Sequence, residues 1–395
     1  MLRTWILDTG SPLLEIAPAP AGREFVVCLT HDIDFVGIRR HCFDRTMWGF
    51  LYRSTVGAVR NVVRGRLTVA QLLGIWRAVA VLPFVYLGWA KDFWEPFEWY
   101  GEVERDLPAT YYLIPFKRRA GDKVPGAGAA RRATAYDVTD LHATAAALTE
   151  RGCEIGVHGL DAWHDAAKGC LERERVAEHS GQPGRGIRMH WLLNDERTPA
   201  VLEQAGYAYD ATAGYNDTIG YRHGTTQVFR PMGAQRLLEL PLHIQDGALF
   251  YPQKLNLSEP EAEKRCRPMI AHARQAGGVL TTLWHDRSHG PERLWGAFYA
   301  RLVGSLKACN PWFSTAGQAV QWFQHRRDVQ FERTDNGRGS RLRLRGGADA
   351  IQPPLRVVVH RGSAVGETAD ISWTGEQDLE LEWRFGQPVT AGSLI

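Results

Sequence analysis

Two aspartates one residue apart, Asp32 and Asp34, stand just after the apolar run EFVVCLT at 24–30. Side chains at i and i+2 of an extended chain point the same way, so both carboxylates share one side of a strand end. One can hold a cation while the other, kept beside it, takes a proton from water. Histidines hold comparable positions further on. His158 closes the run CEIGVHG (153–159), His190 lies in GIRMHW (186–191) with Arg188 and Trp191, and His285 closes GVLTTLWH (278–285). Carboxylate and imidazole at separate strand ends are the residue types of a metal-assisted hydrolytic site.

The elements that would position them alternate along the chain. Strand-like runs at 24–30, 109–115, 153–159, 186–191, 207–212, 237–242 and 278–285 are separated by helix-like stretches. Among these are VTDLHATAAALTERG (138–152), TPAVLEQAG (198–206) and the charged run 259–276. This alternation predicts a mostly parallel sheet with helices outside it, open or closed into a barrel. In such folds sites are built at the C-terminal strand ends, where these acids and histidines stand.

The chain has 395 residues, 44% of them hydrophobic and 23% charged, which excludes wholesale disorder. A net charge of +3 gives no reason to expect a nucleic-acid partner. Six cysteines without a CxxC pair read as thiols in a reducing compartment. The first twenty residues lack a secretory core, and no run reaches the roughly 18 uncharged apolar residues of a spanning helix. The expected setting is the cytoplasm.

THDID at 30–34 resembles the first motif of the polysaccharide deacetylase (NodB-homology) superfamily, in a variant with one residue between the aspartates. The resemblance implies that Asp32 is the catalytic base and Asp34 a metal ligand. EIGVHG (154–159) is similar to the second motif and makes His158 a ligand. The family's second histidine would fall at 162, where this chain has Ala162. The third ligand is therefore left between His164 and His190. GIRMHW is similar to the third motif, with Arg188 orienting the base and Trp191 lining the substrate pocket. Asp210, in YAYDAT, resembles the fourth motif and would brace Arg188 and the substrate. VLTTLWH (279–285) is similar to the fifth, making His285 the acid that protonates the leaving group, with Asp286 available to hold its tautomer. His289 reads as a rim residue.

The likeness spans about residues 24–325 and implies an α/β fold, a distorted (β/α) barrel of about seven strands. It implies a divalent cofactor, with Zn²⁺ first and Co²⁺, Ni²⁺ or Fe²⁺ as alternatives, and a carbohydrate substrate carrying an N-acyl group. The alternatives are a non-acetyl amidase or deformylase on this fold, and an inactive carbohydrate-binding barrel.

Two segments depart from the pattern. Residues 45–91 carry seven Arg or Lys and no acid, with aromatics between them. They form an insertion in the barrel region 1–330, expected either to pack on it or to meet a membrane surface beside a lipid-linked substrate. Beyond it, 331–395 reads as a small β-rich extension without catalytic groups.

Overall fold

The computed structural model describes residues 2–9, 13–124, 128–335, 340–347, 350–360 and 368–383. In chain order its first strands are β1 (Leu13–Ile16), β2 (Val26–Asp32), β3 (Ala109–Leu113), β4 (Glu154–Gly159) and β5 (Gly186–Met189). Next come β6 (Tyr209–Asp210), β7 (Leu238–Glu239), β8 (Ile244–Gln245), β9 (Val279–His285) and β10 (Trp312–Phe313). The last are β11 (Gln330–Asp335), β12 (Ser340–Arg345), β13 (Leu355–His360), β14 (Thr368–Trp373) and β15 (Leu379–Trp383).

The central sheet runs β7-β6-β5-β4-β3-β2-β9-β8, with β10 beside the start of β2, and every pairing in it is parallel. Parallel strands covered on both faces need near-continuous apolar runs, and all of β2 and β3 is buried. The two edge strands, β7 and β8, are joined by residues 240–243 alone. So short a link reaches at most about 17 Å, and the sheet must curl until its edges nearly meet. The result is the expected distorted (β/α) barrel. Its path has one strand more than the seven expected. β8 is two residues long, in HIQD, too short to show any period in the sequence.

Register does much of the positioning. Asp32 pairs with His285 across β2 and β9, and His158 pairs with Arg188 across β4 and β5. Asp32, His285, His158 and Arg188 therefore stand near one end of the sheet.

The C-terminal strands form two antiparallel three-stranded sheets, β11-β12-β15 and β1-β13-β14. In the second, β1 comes from the N-terminal region: Leu14 pairs with Val359 and Ile16 with Val357. Residues 361–367 and 384–395 of the expected extension lie outside the described residues.

Residues 45–91 fold as helices Arg45–Tyr52 and Ala58–Val63, joined by a wide π turn at Arg53–Gly57, and a long helix Val69–Tyr86. Asp44 caps the first helix, accepting from Thr46 N at 2.8 Å and Met47 N at 2.9 Å. Thr68 and Gln71 form a capping box on the long one. Pro83 lies inside the long helix, in its last turn. That helix has 18 residues, a mean hydropathy of 1.6 and one charged residue, Arg77. By length and composition it is long and apolar enough to cross a membrane, which counting uncharged runs did not reveal.

Candidate active site and metal centre

β2 alternates its duties. Thr30 and Asp32 face Arg188, whose Nη1 donates to Thr30 Oγ1 at 2.6 Å and to Asp32 Oδ1 at 3.1 Å. His31 points the other way, with Nε2 2.7 Å from Glu104 Oε1 and Nδ1 3.1 Å from the Trp284 carbonyl. It is wholly buried among Tyr100, Tyr111 and Tyr299 and so anchors the strand. Arg188 is itself fully buried, and its Nε donates to the Ala211 carbonyl at 2.9 Å. Burial works against its charge, but Asp32 beside it more than compensates and holds its pKa above the usual value. A permanently charged guanidinium thus fixes one oxygen of Asp32.

Asp34, His158 and His190 converge. His190 Nδ1 lies 2.9 Å from His158 Nε2 and 3.3 Å from Asp34 Oδ1, which is 3.4 Å from His158 Nε2. The far nitrogens show which atoms carry hydrogen. His158 Nδ1 lies 3.0 Å from the Arg188 carbonyl, and His190 Nε2 lies 3.2 Å from the Arg132 carbonyl. A carbonyl only accepts, so both of these nitrogens donate, and in the neutral rings the converging nitrogens are bare lone pairs. Burial holds the His190 pKa down to about 3, although Asp34 pulls it upward, so this ring is neutral at pH 7. Burial alone would raise Asp34, but positive charge brought among these ligands, as on a protonated His190 or His158, holds its carboxyl well below the usual carboxylate range.

Three acceptors therefore face one another without a donor, and Asp34 Oδ1 is buried with no hydrogen-bond partner. A proton on one ring would relieve a single pair, whereas a cation satisfies all three. Ligands about 2.1 Å from a tetrahedral ion stand about 3.4 Å apart, close to the separations found. The residues fit a divalent metal.

The two histidine alternatives lie in different places. His190 joins the cluster. His164 does not: its Nε2 is 3.1 Å from Asp161 Oδ1, six residues beyond His158 in a turn that leads away.

His285 stands across the strand pair from Asp32, with Nδ1 2.6 Å from Asp246 Oδ1. The His285 amide also donates to Asp246 Oδ2 at 2.8 Å, and the Ser288 hydroxyl bonds the same oxygen. Burial lowers the ring's pKa, but the Asp246 carboxylate outweighs it and the net value is pushed up to about 10. The ring is then a protonated acid at neutral pH, with Nε2 left to act. Asp246, not Asp286, holds the tautomer. Asp286 instead accepts from the Phe35 and Val36 amides at 2.7 and 2.8 Å and so shapes the loop leaving Asp34.

Asp210 is buried at the end of β6 and accepts from Thr212 N at 3.0 Å and from the Thr212 hydroxyl. Burial raises its pKa to about 6, and burial together with Asp210 raises its neighbour Glu239 well above the usual value. Asp210 braces the Ala211–Thr212 turn that receives Arg188. Trp191 adopts φ 66°, is 36% exposed and packs over Gly128 at the rim. His289 is half-buried and stacked on Trp99 at 5.2 Å.

Arg132 and Asp246 escaped the sequence reading. Besides the carbonyl it offers His190, Arg132 is buried and its Nη2 donates to the Leu160 and His190 carbonyls at 2.9 and 3.1 Å. It ties the two histidine-bearing strand ends together.

No family model matches the chain, and no curated protein matches it. Among solved structures the chain is similar to polysaccharide deacetylases. A candidate polysaccharide deacetylase from Mycobacterium smegmatis is 17% identical, with TM-score 0.43, covering 79% of this chain and 96% of that one. A second candidate, from Pseudomonas aeruginosa PAO1, is 14% identical with TM-score 0.43, covering 77% and 92%. The Puue allantoinase is 14% identical with TM-score 0.44, covering 79% and 93%.

Proposed function

We propose that the chain is a metal-dependent hydrolase that removes an acyl group, N-acetyl in the first instance, from an amino sugar of a glycan or glycan precursor. One observation carries this reading. Three converging acceptors lie beside an arginine-held carboxylate, and a carboxylate-held histidine stands level with it on the next strand.

A divalent cation held by Asp34, His158 and His190 would supply Lewis acidity toward water and the acyl oxygen, a task to which zinc is suited. Arg188 holds one oxygen of Asp32 and leaves the second, 3.8 Å from His158 Nε2, toward the water to be deprotonated. His285 holds a proton that Asp246 stabilises and can pass it from Nε2 to the leaving nitrogen. Water adds to the carbonyl carbon, the C–N bond breaks, and a carboxylic acid and a free amine leave. Arg132 and the Arg188 carbonyl fix both ligand rings throughout. The six unpaired cysteines support a reducing, cytoplasmic setting. A lipid-linked precursor there would suit the surface formed by residues 45–91.

The test is the metal content of the purified chain, followed by acetate release from N-acetylhexosamine oligomers before and after chelation. Stoichiometric metal with chelator-sensitive release is the expected result. Metal without release from any acylated sugar would overturn the substrate, and absence of metal at every site would overturn the mechanism.

A further inference from the structure

We infer that the helical insertion 45–91 is a docking surface for an anionic membrane, on which it lies flat. The inference concerns where the enzyme sits and does not depend on the hydrolytic reading.

Each long piece of the insertion has two apolar faces. The inner faces are spent: Met47, Phe50, Leu82 and Val85 pack with Ile38 and Trp94, and Ala58, Leu72 and Ile75 form a second cluster against Leu294. The outer faces are bare. Trp48, Tyr52, Val56, Val59 and Val63 recur at helical spacing along the first piece, all of them exposed. Val69, Leu73, Trp76, Phe84 and Leu87 do the same along the second. Of the eighteen large hydrophobic residues exposed among the described residues, twelve lie between Phe43 and Trp89. Trp48, Trp76 and Trp89 are 57%, 42% and 75% exposed. Together those three rings show on the order of 400 Å² to solvent, already the size of the largest apolar patch on an ordinary monomer.

Charge decides what covers this surface. The stretch holds seven basic residues and no acid. Arg53 is within 3.7 Å of Glu292 and Lys91 pairs with Glu98. Arg45, Arg60, Arg64 and Arg77 are exposed, and none makes an ion pair among the described residues. Arg60 and Arg64 follow the Val56–Val63 stripe, and Arg77 flanks Trp76. Long cationic side chains beside tryptophans can reach phosphate while the rings sit at the acyl boundary. An anionic leaflet meets both demands at once.

The long helix has the composition of a spanning segment, yet only its outer side is free. Arg39 holds its C-terminal end, with Nε donating to the Val85 carbonyl at 2.7 Å, and Tyr86 Oη donates to the His41 carbonyl at 2.9 Å. With one face fastened to the protein, the helix can lie in an interface but cannot cross one. Its fastenings are the loop that leaves Asp34 and, through Arg53 and Leu294, the loop that leaves His285. Docking therefore presents the rim of the candidate site to the lipid headgroups.

Flotation of the full chain with vesicles tests this. Phosphatidylcholine vesicles containing phosphatidylglycerol should carry the protein upward, with at least about tenfold more recovered than on phosphatidylcholine alone, and high salt should weaken recovery. Two variants, L73Q/W76S/W89S and R60E/R64E/R77E, should each lose flotation while keeping wild-type metal content and circular dichroism. Equal recovery on both vesicle types, or flotation unchanged in both variants, would overturn the inference. So would a vesicle-bound protein that resists salt and carbonate and yields only to detergent, because that helix would then span the bilayer. Self-association through this face without lipid binding would overturn it as well.

Discussion

At the scale of single residues the site separates into groups that hold a cation and groups that move protons, and substitutions should separate them too. Asp34→Ala, His158→Ala and His190→Ala each remove one of three converging ligands and should abolish metal retention, read by mass spectrometry of the purified variants. Asp32→Asn should keep the metal and lower kcat by about 10²–10⁴-fold, since only proton transfer suffers. Metal lost in Asp32→Asn but kept in Asp34→Asn would reverse the roles within the pair. His164→Ala should change neither quantity. A second prediction concerns pH. Asp246 raises the His285 pKa above its ordinary value, so the ring stays protonated at neutral pH and loses its proton only near pH 10. Asp246→Asn removes that support, and the alkaline limb of kcat should move to lower pH. An unshifted limb would mean that another group supplies the proton. Asp32, Asp34, His158, His190, Arg188 and His285 were legible because each ends or follows a strand with a visible apolar run. Asp246 follows a two-residue strand without such a run, and Arg132 acts on His190 through a backbone carbonyl, which no side-chain pattern announces.

At the scale of elements, the site depends on strands pressed tightly enough to set their register. Gly186 opens β5, two residues before Arg188, and a Cβ there would lie 2.0 Å from Tyr209 Cζ on β6. The Tyr209 hydroxyl donates to Glu154 Oε1 at 2.9 Å and cannot simply swing aside. Gly186→Ala should therefore force β5 and β6 apart and cost about 1–3 kcal/mol, measured by urea denaturation. Loss of kcat and weaker metal retention should accompany it, because Arg188 and the metal-facing His190 ride on the displaced strand. Unchanged stability would show that the strand pair yields more easily than its packing implies. The sequence reading recovered the charged helix at 259–276 to the residue, since a capping Ser258 with Glu261 and a following Gly277 mark both ends. It placed the β6 and β7 runs, but their hydrogen-bonded cores are only two residues each. Tertiary pairing trims such edges, and local propensity cannot see it.

At the scale of the whole molecule, the β-rich extension is joined to the barrel by a shared core. One cluster contains Val26, Cys28 and Tyr112 from the barrel strands, Trp322 and Phe323 from the helix Ala316–Asp328, and Leu355, Val357 and Leu381 from the extension. Trp322 Nε1 donates to the Pro353 carbonyl at 2.8 Å, and Arg326 Nε reaches the carbonyls of Ile16 and Ala17 at 3.0 Å. β1 adds a covalent tie, since it is an N-terminal strand paired into the extension's sheet. A chain ending at Arg327 would leave Trp322 without its acceptor, strand the outer edge of β1 and expose apolar side chains beneath β2. Leu355→Ala removes a fully buried side chain from the same cluster and should cost about 2–5 kcal/mol. If the two parts unfold as one, the melting of Leu355→Ala should remain a single transition at lower temperature; if they are independent, only part of the signal should shift. The truncated chain should be less soluble, while its folded fraction retains metal and turnover per molecule, because Asp34, His158, His190, Asp32 and His285 all come from the barrel and none from the extension. Complete loss of turnover in a folded, metal-loaded truncation would show instead that the extension completes the pocket.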